Sequence, residues 1–260
     1  YPLDPEPADR HLRGAATEPV PRPGVLRLTA GARLTGPWRL TAAQARVGGL
    51  PDGDLDVYAL DPQVSDPLVL GWLRAAARHS GGAVVSADRA QVVVPDAGAA
   101  VDLTLWTGTV VPVGELVAAV RPFLAGSRLG PVRQRSDGGY SMTSRFEFDG
   151  ALDLTVQPRD AVPVAVSSQQ WGEHGPWTYA ASWVPPDPSE LDAEQPSRMH
   201  VIARGRVAPV VARTAGAMLR LAGGVVVDDG GFPVTEAELA VDRAAGAGCS
   251  QQPGGGHAVG

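Results

Sequence analysis

The sequence predicts an α+β fold of two ferredoxin-like (split β-α-β) halves related by internal duplication, with a mostly antiparallel sheet and helices on one face. Two observations lead to this prediction. Residues 57–92 align without a gap with residues 199–234 at a constant offset of 142, with nine identities among 36 pairs. Strand-like apolar runs also alternate with helix-like runs and with a hairpin. Twin copies that stack side by side would account for both observations.

The first copy is predicted from its helix signals. Val57–Leu60 is an apolar run typical of a strand, and Asp66 can cap a helix whose first residue is a proline. Gly81 suits the left-handed conformation that ends such a helix. In the second copy, Met199–Ala203 is predicted as the equivalent strand, and Pro209 as the start of the equivalent helix.

Short apolar runs elsewhere in the chain predict further strands. They lie at residues 25–29, 38–40, 83–86, 91–94, 101–106, 164–167, 177–183 and 225–227. A helix is predicted from about Val113, and the ring of Pro122 ends or bends it. Thr235 is predicted to cap a short closing helix, with Glu238 at capping-box spacing.

Residues 140–156 form the clearest predicted hairpin. A two-residue turn at Asp149-Gly150 would place apolar side chains opposite polar ones, because one residue of slip turns a strand over. A three-residue loop at 148–150 pairs Phe146 with Leu152 and keeps the apolar residues on one face. We therefore predict the three-residue loop, with Gly150 in a left-handed conformation.

The segment TAGAMLRLAGGVVVDDGGFPVTEAEL, Thr214–Leu239, consists of a helix, a glycine pair, three apolar residues, two aspartates, a turn and a short helix. In this order of elements it is similar to the closing segment of the C-terminal FtsZ-binding domain of ZipA, a family of cell-division proteins. The resemblance implies a split β-α-β layout and a sheet that binds a partner without catalysing a reaction.

The predicted domain plan has four parts. Residues 1–23 are a proline-rich flexible leader, and residues 244–260 are a disordered glycine-rich tail. Between them, residues 24–135 form the first α+β half and residues 136–243 the second.

Composition excludes several classes of protein. The 22 basic residues are all arginine, and with 28 acidic residues the net charge is −6. This balance does not suit a nucleic-acid binder, and the absence of lysine excludes Schiff-base and P-loop lysine chemistry. The bias towards Arg, Ala, Gly and Pro indicates a bacterial source with GC-rich DNA.

The chain offers no intrachain disulfide and no apolar segment that spans a bilayer. Cys249 is the sole cysteine, which also rules out a cysteine-based zinc site. The longest apolar stretch, 207–227, is interrupted by Arg213 and Arg220. We therefore expect a cytoplasmic protein without membrane association. The chain begins at Tyr1 without a methionine, so a removed or missing N-terminal segment stays open.

No catalytic motif stands out. The sequence lacks a nucleophile elbow, a zinc-protease motif, a Walker A loop and a dinucleotide-binding glycine pattern. The five histidines show no ligand spacing, and we predict no metal site, no cofactor and no catalytic residue.

The first candidate site is a basic strip around the predicted strand at 199–203. In an extended strand, Arg198, His200, Arg204 and Arg206 would project to one side, together with Ile202. Arginine forms bidentate pairs with oxyanions, so the strip could bind an anionic ligand or an acidic peptide. The alternative is a solvated face whose arginines pair with nearby acidic residues such as Glu190.

The second candidate site is an aromatic segment that includes Trp171, Trp177 and Trp183. In a strand the last two share a face with Tyr179, while His174 precedes the strand. Such a stripe either belongs to the core or, when exposed, forms a recognition surface.

These observations favour a non-enzymatic module that binds a ligand or a protein through one sheet face. The expected partner is an unknown protein or an anionic ligand, and a homo-oligomer is left open. A small-molecule enzyme or sensor with a site at the junction of the two halves is the main alternative. A structural subunit of a larger assembly is the other.

Overall fold

The computed structural model describes residues 22–61, 64–160, 162–163, 166, 174–191 and 196–245, the last five of them by their backbone only. The chain divides into two compact units between Asp96 and Ala97. All but the last two residues of the predicted leader, nearly all of the predicted glycine-rich tail and most of the predicted strand at 164–167 lie outside the described residues.

The first unit combines a small sheet with two helices and a short hairpin. Its antiparallel sheet has the order β1-β2-β3. The elements are β1 (Gly24–Arg27), β2 (Arg33–Leu40), α1 (Ala42–Val47), β3 (Leu55–Leu60), α2 (Pro67–Ser80), β4 (Val84–Val85) and β5 (Val92–Val93). β4 pairs with β5 in an antiparallel hairpin.

The ends of α2 follow the sequence signals. The Asp66 side chain accepts a hydrogen bond from the Leu68 N–H at 2.9 Å, and Pro67 occupies the first turn. Gly81 ends the helix with φ of 64°, a conformation that glycine adopts at little steric cost. The predicted cap and stop of this helix are confirmed.

The second unit is built on one antiparallel sheet, whose described strands run in the order β13-β12-β6-β11-β10-β9-β7, with β8 paired to β9. Its strands are β6 (Leu103–Thr107), β7 (Arg128–Leu129), β8 (Arg133–Gln134), β9 (Tyr140–Arg145), β10 (Ala151–Pro158), β11 (Trp177–Val184), β12 (Val225–Asp228) and β13 (Pro233–Val234). Its helices are α3 (Val113–Val120), α4 (Arg198–Ala222) and α5 (Glu236–Ala245), with 3-10 turns at Arg121–Leu124 and Pro188–Leu191.

One face of this sheet forms a continuous apolar core with the helices. Side chains from β6, α3, β10 and α4 meet there, among them Leu105, Leu116, Leu154 and Met218, each at most 1 % exposed. Burial of such side chains contributes about 1.5–3 kcal/mol each, so this layer is the main source of stability in the unit.

Two buried tyrosines fix the loop between β6 and α3. The Tyr179 hydroxyl donates to the Thr109 carbonyl at 2.9 Å and accepts from the Val111 N–H at 2.8 Å. The Tyr140 hydroxyl donates to the Val111 carbonyl at 3.1 Å. Burial raises the pKa of both phenols, so they stay protonated as donors.

The β9–β10 hairpin keeps the predicted faces but not the predicted register. Leu154 pairs with Met142, and the ladder ends at Ala151 opposite Arg145. The connection therefore comprises the five residues 146–150, and the predicted three-residue loop is wrong. In the observed register each β9 residue pairs with a β10 residue two positions earlier in the chain than predicted. An even shift leaves the apolar set on one face, because side chains alternate with a period of two. Gly150 has the predicted positive φ, at 84°.

The predicted strand Met199–Ala203 is wrong, because these residues lie in the 25-residue helix α4. Pro209, predicted to begin a helix, lies inside it. An internal proline costs about 3 kcal/mol. Complete burial of Val207 and Val211, at 1 % and 0 % exposure, offsets this cost with about 1.5–3 kcal/mol each.

The mixed α+β class with antiparallel sheets is confirmed, whereas the ferredoxin-like duplication is not. The two aligned segments share a helix, a terminal glycine and a following strand pair, but β3 corresponds to the first turns of α4. The predicted boundary at 135/136 also differs from the observed one at 96/97. β6 lies between β11 and β12, so residues 97–135 belong to the sheet of the second unit.

Candidate functional site

The start of α4 is held by a short acidic loop. The Ser197 hydroxyl accepts a hydrogen bond from the His200 N–H at 3.2 Å, and the Ser197 N–H donates to the Glu190 carboxylate at 2.6 Å. This backbone bond, followed by the bond from the Ser197 hydroxyl, holds the pKa of Glu190 below its usual value. Glu190 therefore anchors the helix start instead of pairing with an arginine of the predicted strip.

Helical geometry divides the predicted basic strip between two faces. Side chains in a helix return to the same face after 3.6 residues, not after two. Arg198, Ile202 and Arg206 are spaced by four and are exposed. His200 and Arg204, also spaced by four, are only 7 % and 9 % exposed. The prediction that all five project to one side is wrong because the backbone there is helical.

The buried side of this helix segment contacts the end of β11. The rings of His200 and Trp183 lie 4.9 Å apart with an interplanar angle of 57°. Trp183 is 5 % exposed and belongs to the apolar core of the second unit. Of the two alternatives for this tryptophan, the structure thus favours core over free surface.

Asp149, in the turn between β9 and β10, links β11 to α4. Its backbone carbonyl accepts a hydrogen bond from Trp183 Nε1 at 2.8 Å. Its carboxylate lies 3.4 Å from the Arg206 guanidinium. Gly150 comes so close to β11 that a Cβ there would lie 2.1 Å from the Val184 carbonyl oxygen. The turn is therefore held firmly beside the helix.

Large apolar side chains are also exposed on this helix segment and in the turn that contains Asp149. Phe148 is 74 % exposed and Met199 is 71 % exposed. Val201 and Ile202 on the same helix segment are also exposed. We call this area the α4 surface, and it consists of Phe148, Arg198, Met199, Val201, Ile202 and Arg206.

The remaining predicted site residues do not join the α4 surface. Trp171 lies outside the described residues. His174 is buried, at 2 % exposure, and Trp177 is half-buried at the first position of β11. Trp177 and Trp183 stand six positions apart on one strand, which separates them by about 20 Å. His174 and Trp177 therefore lie at the opposite end of β11 from His200.

Sequence reasoning missed Phe148, Asp149 and Met199 as members of one surface. A helical reading of the segment would have found part of it, because Ala203, Val207 and Val211 recur at four-residue intervals. Nothing in the local sequence brings the hairpin turn to the helix, since that contact depends on pairing between distant strands.

The partly buried carboxylate of Asp102 contacts the backbone of Trp183. Asp102, just before β6, accepts a hydrogen bond from the Trp183 backbone N–H at 2.8 Å. Burial is the main cause that raises the pKa of this carboxyl, and the hydrogen bond from Trp183 opposes the rise. The interaction fixes the end of β11 near the contact with His200.

Within the described ranges, no group of three or more His, Cys, Asp or Glu side chains is placed to hold a metal ion. Among the same residues, no helix is both long and apolar enough to cross a membrane. Comparisons with known protein families, curated proteins and solved structures gave no significant match. The fold and the site define an α+β protein of two units, the second of which presents a basic and apolar helix face.

Proposed function

We propose that the protein is a non-enzymatic interaction module that binds another protein through the α4 surface. The observation that carries this proposal is the exposure of Met199, Val201 and Ile202 beside Arg198 and Arg206, on a helix whose other face is buried. Exposed apolar side chains are unremarkable singly, but a group of them on a rigid element is typical of interaction sites.

The arginines set the chemistry of the partner. Arg206 is 63 % exposed in its side chain and is already oriented by Asp149. A guanidinium held in place loses little conformational freedom on binding, which favours affinity. The expected partner presents an apolar patch edged by carboxylates.

This proposal revises the predicted anchors. Arg204, His200 and Trp183 are buried, so they support the α4 surface from beneath instead of contacting the partner. Only Arg198 and Arg206 of the predicted strip remain candidates for direct contact.

The alternative of an enzyme or sensor site at the junction of residues 24–135 and 136–243 was based on a division at 135/136, whereas the chain divides at 96/97. Those two segments do not meet as separate halves, because β6 is inserted in the second sheet and its Leu105 packs in the same core as Leu154 and Met218.

The test is capture of binding partners by the purified full chain and by two matched variants. Met199→Asp puts a charge in the α4 surface, while Leu68→Asp does the same at another apolar residue that is 82 % exposed, in the first unit. We expect a partner that binds the unchanged chain and Leu68→Asp but not Met199→Asp. Thermal unfolding checks that both variants fold.

Identical capture by all three proteins would contradict the proposal. Sedimentation of the purified chain distinguishes a second copy as the partner, because self-association would then depend on concentration and would be weakened by Met199→Asp alone.

A further inference from the structure

A second surface of the unit is a groove between α4 and α5, farther along α4 than the residues of the α4 surface. Its volume is about 160 Å³. A water molecule takes roughly 30 Å³ in the liquid, so the groove has room for a ligand of a few heavy atoms. The residues that line it include Ala212, Arg213, Gly216, Arg220, Glu236 and Ala240.

Two arginines line this groove from one helix. Arg213 and Arg220 are seven residues apart, which is about two helical turns, so they lie on the same side of α4. Gly216 lies between them and, having no side chain, leaves the helix backbone uncovered at this point. A Cβ on Gly216 would lie 3.4 Å from the Arg220 Nη1, so this guanidinium extends across the glycine.

One donor of the Arg213 guanidinium has no acceptor within the part of the chain that the structure describes. There, Arg213 Nε is buried without a hydrogen-bond partner. Neither Arg213 nor Arg220 forms an ion pair with a described residue, although Glu236 lines the same groove. A buried donor without an acceptor costs free energy, which an incoming oxyanion would recover.

From this arrangement we infer that the groove between α4 and α5 binds a small anion, whose carboxylate or phosphate group lies between Arg213 and Arg220. Arginine forms paired hydrogen bonds with both kinds of oxyanion. The Glu236 carboxylate lines the groove as well, and it disfavours a second negative charge on the ligand. A ligand with one oxyanion group and a neighbouring hydrogen-bond donor fits this charge pattern best.

The test is calorimetric titration of the full chain with sodium acetate and, separately, with inorganic phosphate, at constant ionic strength set by sodium chloride. We expect saturable binding of at least one probe. Binding of acetate alone identifies a carboxylate ligand, and binding of phosphate alone identifies a phosphate ligand.

Three charge variants assign the binding to the groove. Arg220→Gln, at an exposed side chain, is expected to weaken binding about tenfold, and Arg213→Gln at least as much. Glu236→Gln is expected to strengthen it, because it removes the opposing charge. Arg133→Gln, at an exposed arginine of β8 outside both surfaces, is the matched control and should bind like the unchanged chain.

Several outcomes would overturn the inference. They are the absence of a saturable heat signal with both probes, competition by chloride at equal concentration, and equal weakening by Arg133→Gln and Arg220→Gln. Thermal unfolding of each variant separates lost binding from lost folding. Loss of partner capture through the α4 surface is a separate result and leaves this inference intact.

Discussion

In the second unit, large side chains such as Leu105, Leu154 and Met218 are almost completely buried. In the first unit, the described buried apolar residues are mostly alanines, while Trp38 is 40 % exposed and Tyr58 is 54 % exposed. The buried set there comprises Ala32, Leu34, Ala45, Val69, Ala75 and Ala77. Both units are α+β, yet only the second has an extensive core of large side chains among the described residues.

This difference follows from the size of the sheets. A sheet of three strands offers little area for helices to cover, and α1 has only six residues. The wide sheet of the second unit is covered on one face by helices that include the 25-residue α4. Since hydrophobic stabilisation grows with buried apolar area, local opening should require less free energy in the first unit.

The largest expected effect comes from the same substitution made in both units. Leu154→Ala removes a side chain that is 1 % exposed in the large core, and we expect it to lower the free energy of unfolding by about 2–5 kcal/mol. Leu34→Ala, at 8 % exposure in the small sheet, should cost about 1 kcal/mol. Hydrogen exchange of strand amides reports the two units separately. Equal losses would show that the first unit has as complete a core as the second.

A smaller effect is expected from the tyrosine hydroxyls. Tyr179→Phe leaves the Val111 N–H and the Thr109 carbonyl without their partner, and should cost about 1–3 kcal/mol. Tyr58→Phe, at an exposed tyrosine of the first unit, should change stability by less than about 0.5 kcal/mol.

Urea unfolding of the two tyrosine variants and of the unchanged chain measures these differences in the free energy of unfolding. A neutral result for Tyr179→Phe would mean that the loop between β6 and α3 is held by other contacts.

The smallest expected effect is on the pH dependence of stability. A partly buried aspartate of the second unit and an exposed aspartate of the first unit should change it in opposite directions. Burial raises the pKa of Asp102, so its contribution to stability is present below the unfolded pKa of about 3.9 and is lost as the pH rises through the folded value. Asp102→Asn keeps an acceptor for the Trp183 N–H. The variant should therefore gain stability over the unchanged chain as the pH rises.

The exposed Asp88 of the first unit serves as the comparison. The Ser86 hydroxyl is the main cause that holds its pKa below the usual value. Its contribution is therefore present above the unfolded pKa and is lost as the pH falls through the folded value. Asp88→Asn should lose stability near neutral pH, with a difference that shrinks in acid. Thermal unfolding between about pH 3 and pH 8 measures both variants, and the same sign for both would refute the assignment.

Local signals were sufficient for much of the fold. The cap of α2 by Asp66 depends on residues within one turn, and so does the capping pair of Thr235 and Glu238, whose side chains both make the expected bonds. The hairpin faces also followed from alternation alone. The register did not, because two pairings that differ by two residues bury the same apolar set.

The candidate site was only partly within reach of the sequence. Arg198 and Arg206 were named, but the β-branched Val201 and Ile202, together with Gly205 and Pro209, weaken the local helix preference of this segment. Val207 and Val211 gain their stabilisation only against the sheet, so tertiary packing overrides the local preference. The same packing brings Asp149 beside Arg206.

By itself, the sequence determined the α+β class, the helix caps, the glycine at the end of α2 and the absence of lysine chemistry, because each depends on neighbouring residues or on composition. Tertiary structure decided where the two units divide, that residues 198–208 are helical, and which arginines reach the solvent. These depend on contacts of β6 with β11 and α4. The pairing of β6 with β11 joins residues 70–78 positions apart, from Trp177 with Thr107 to Ala181 with Leu103, and no local pattern encodes such contacts.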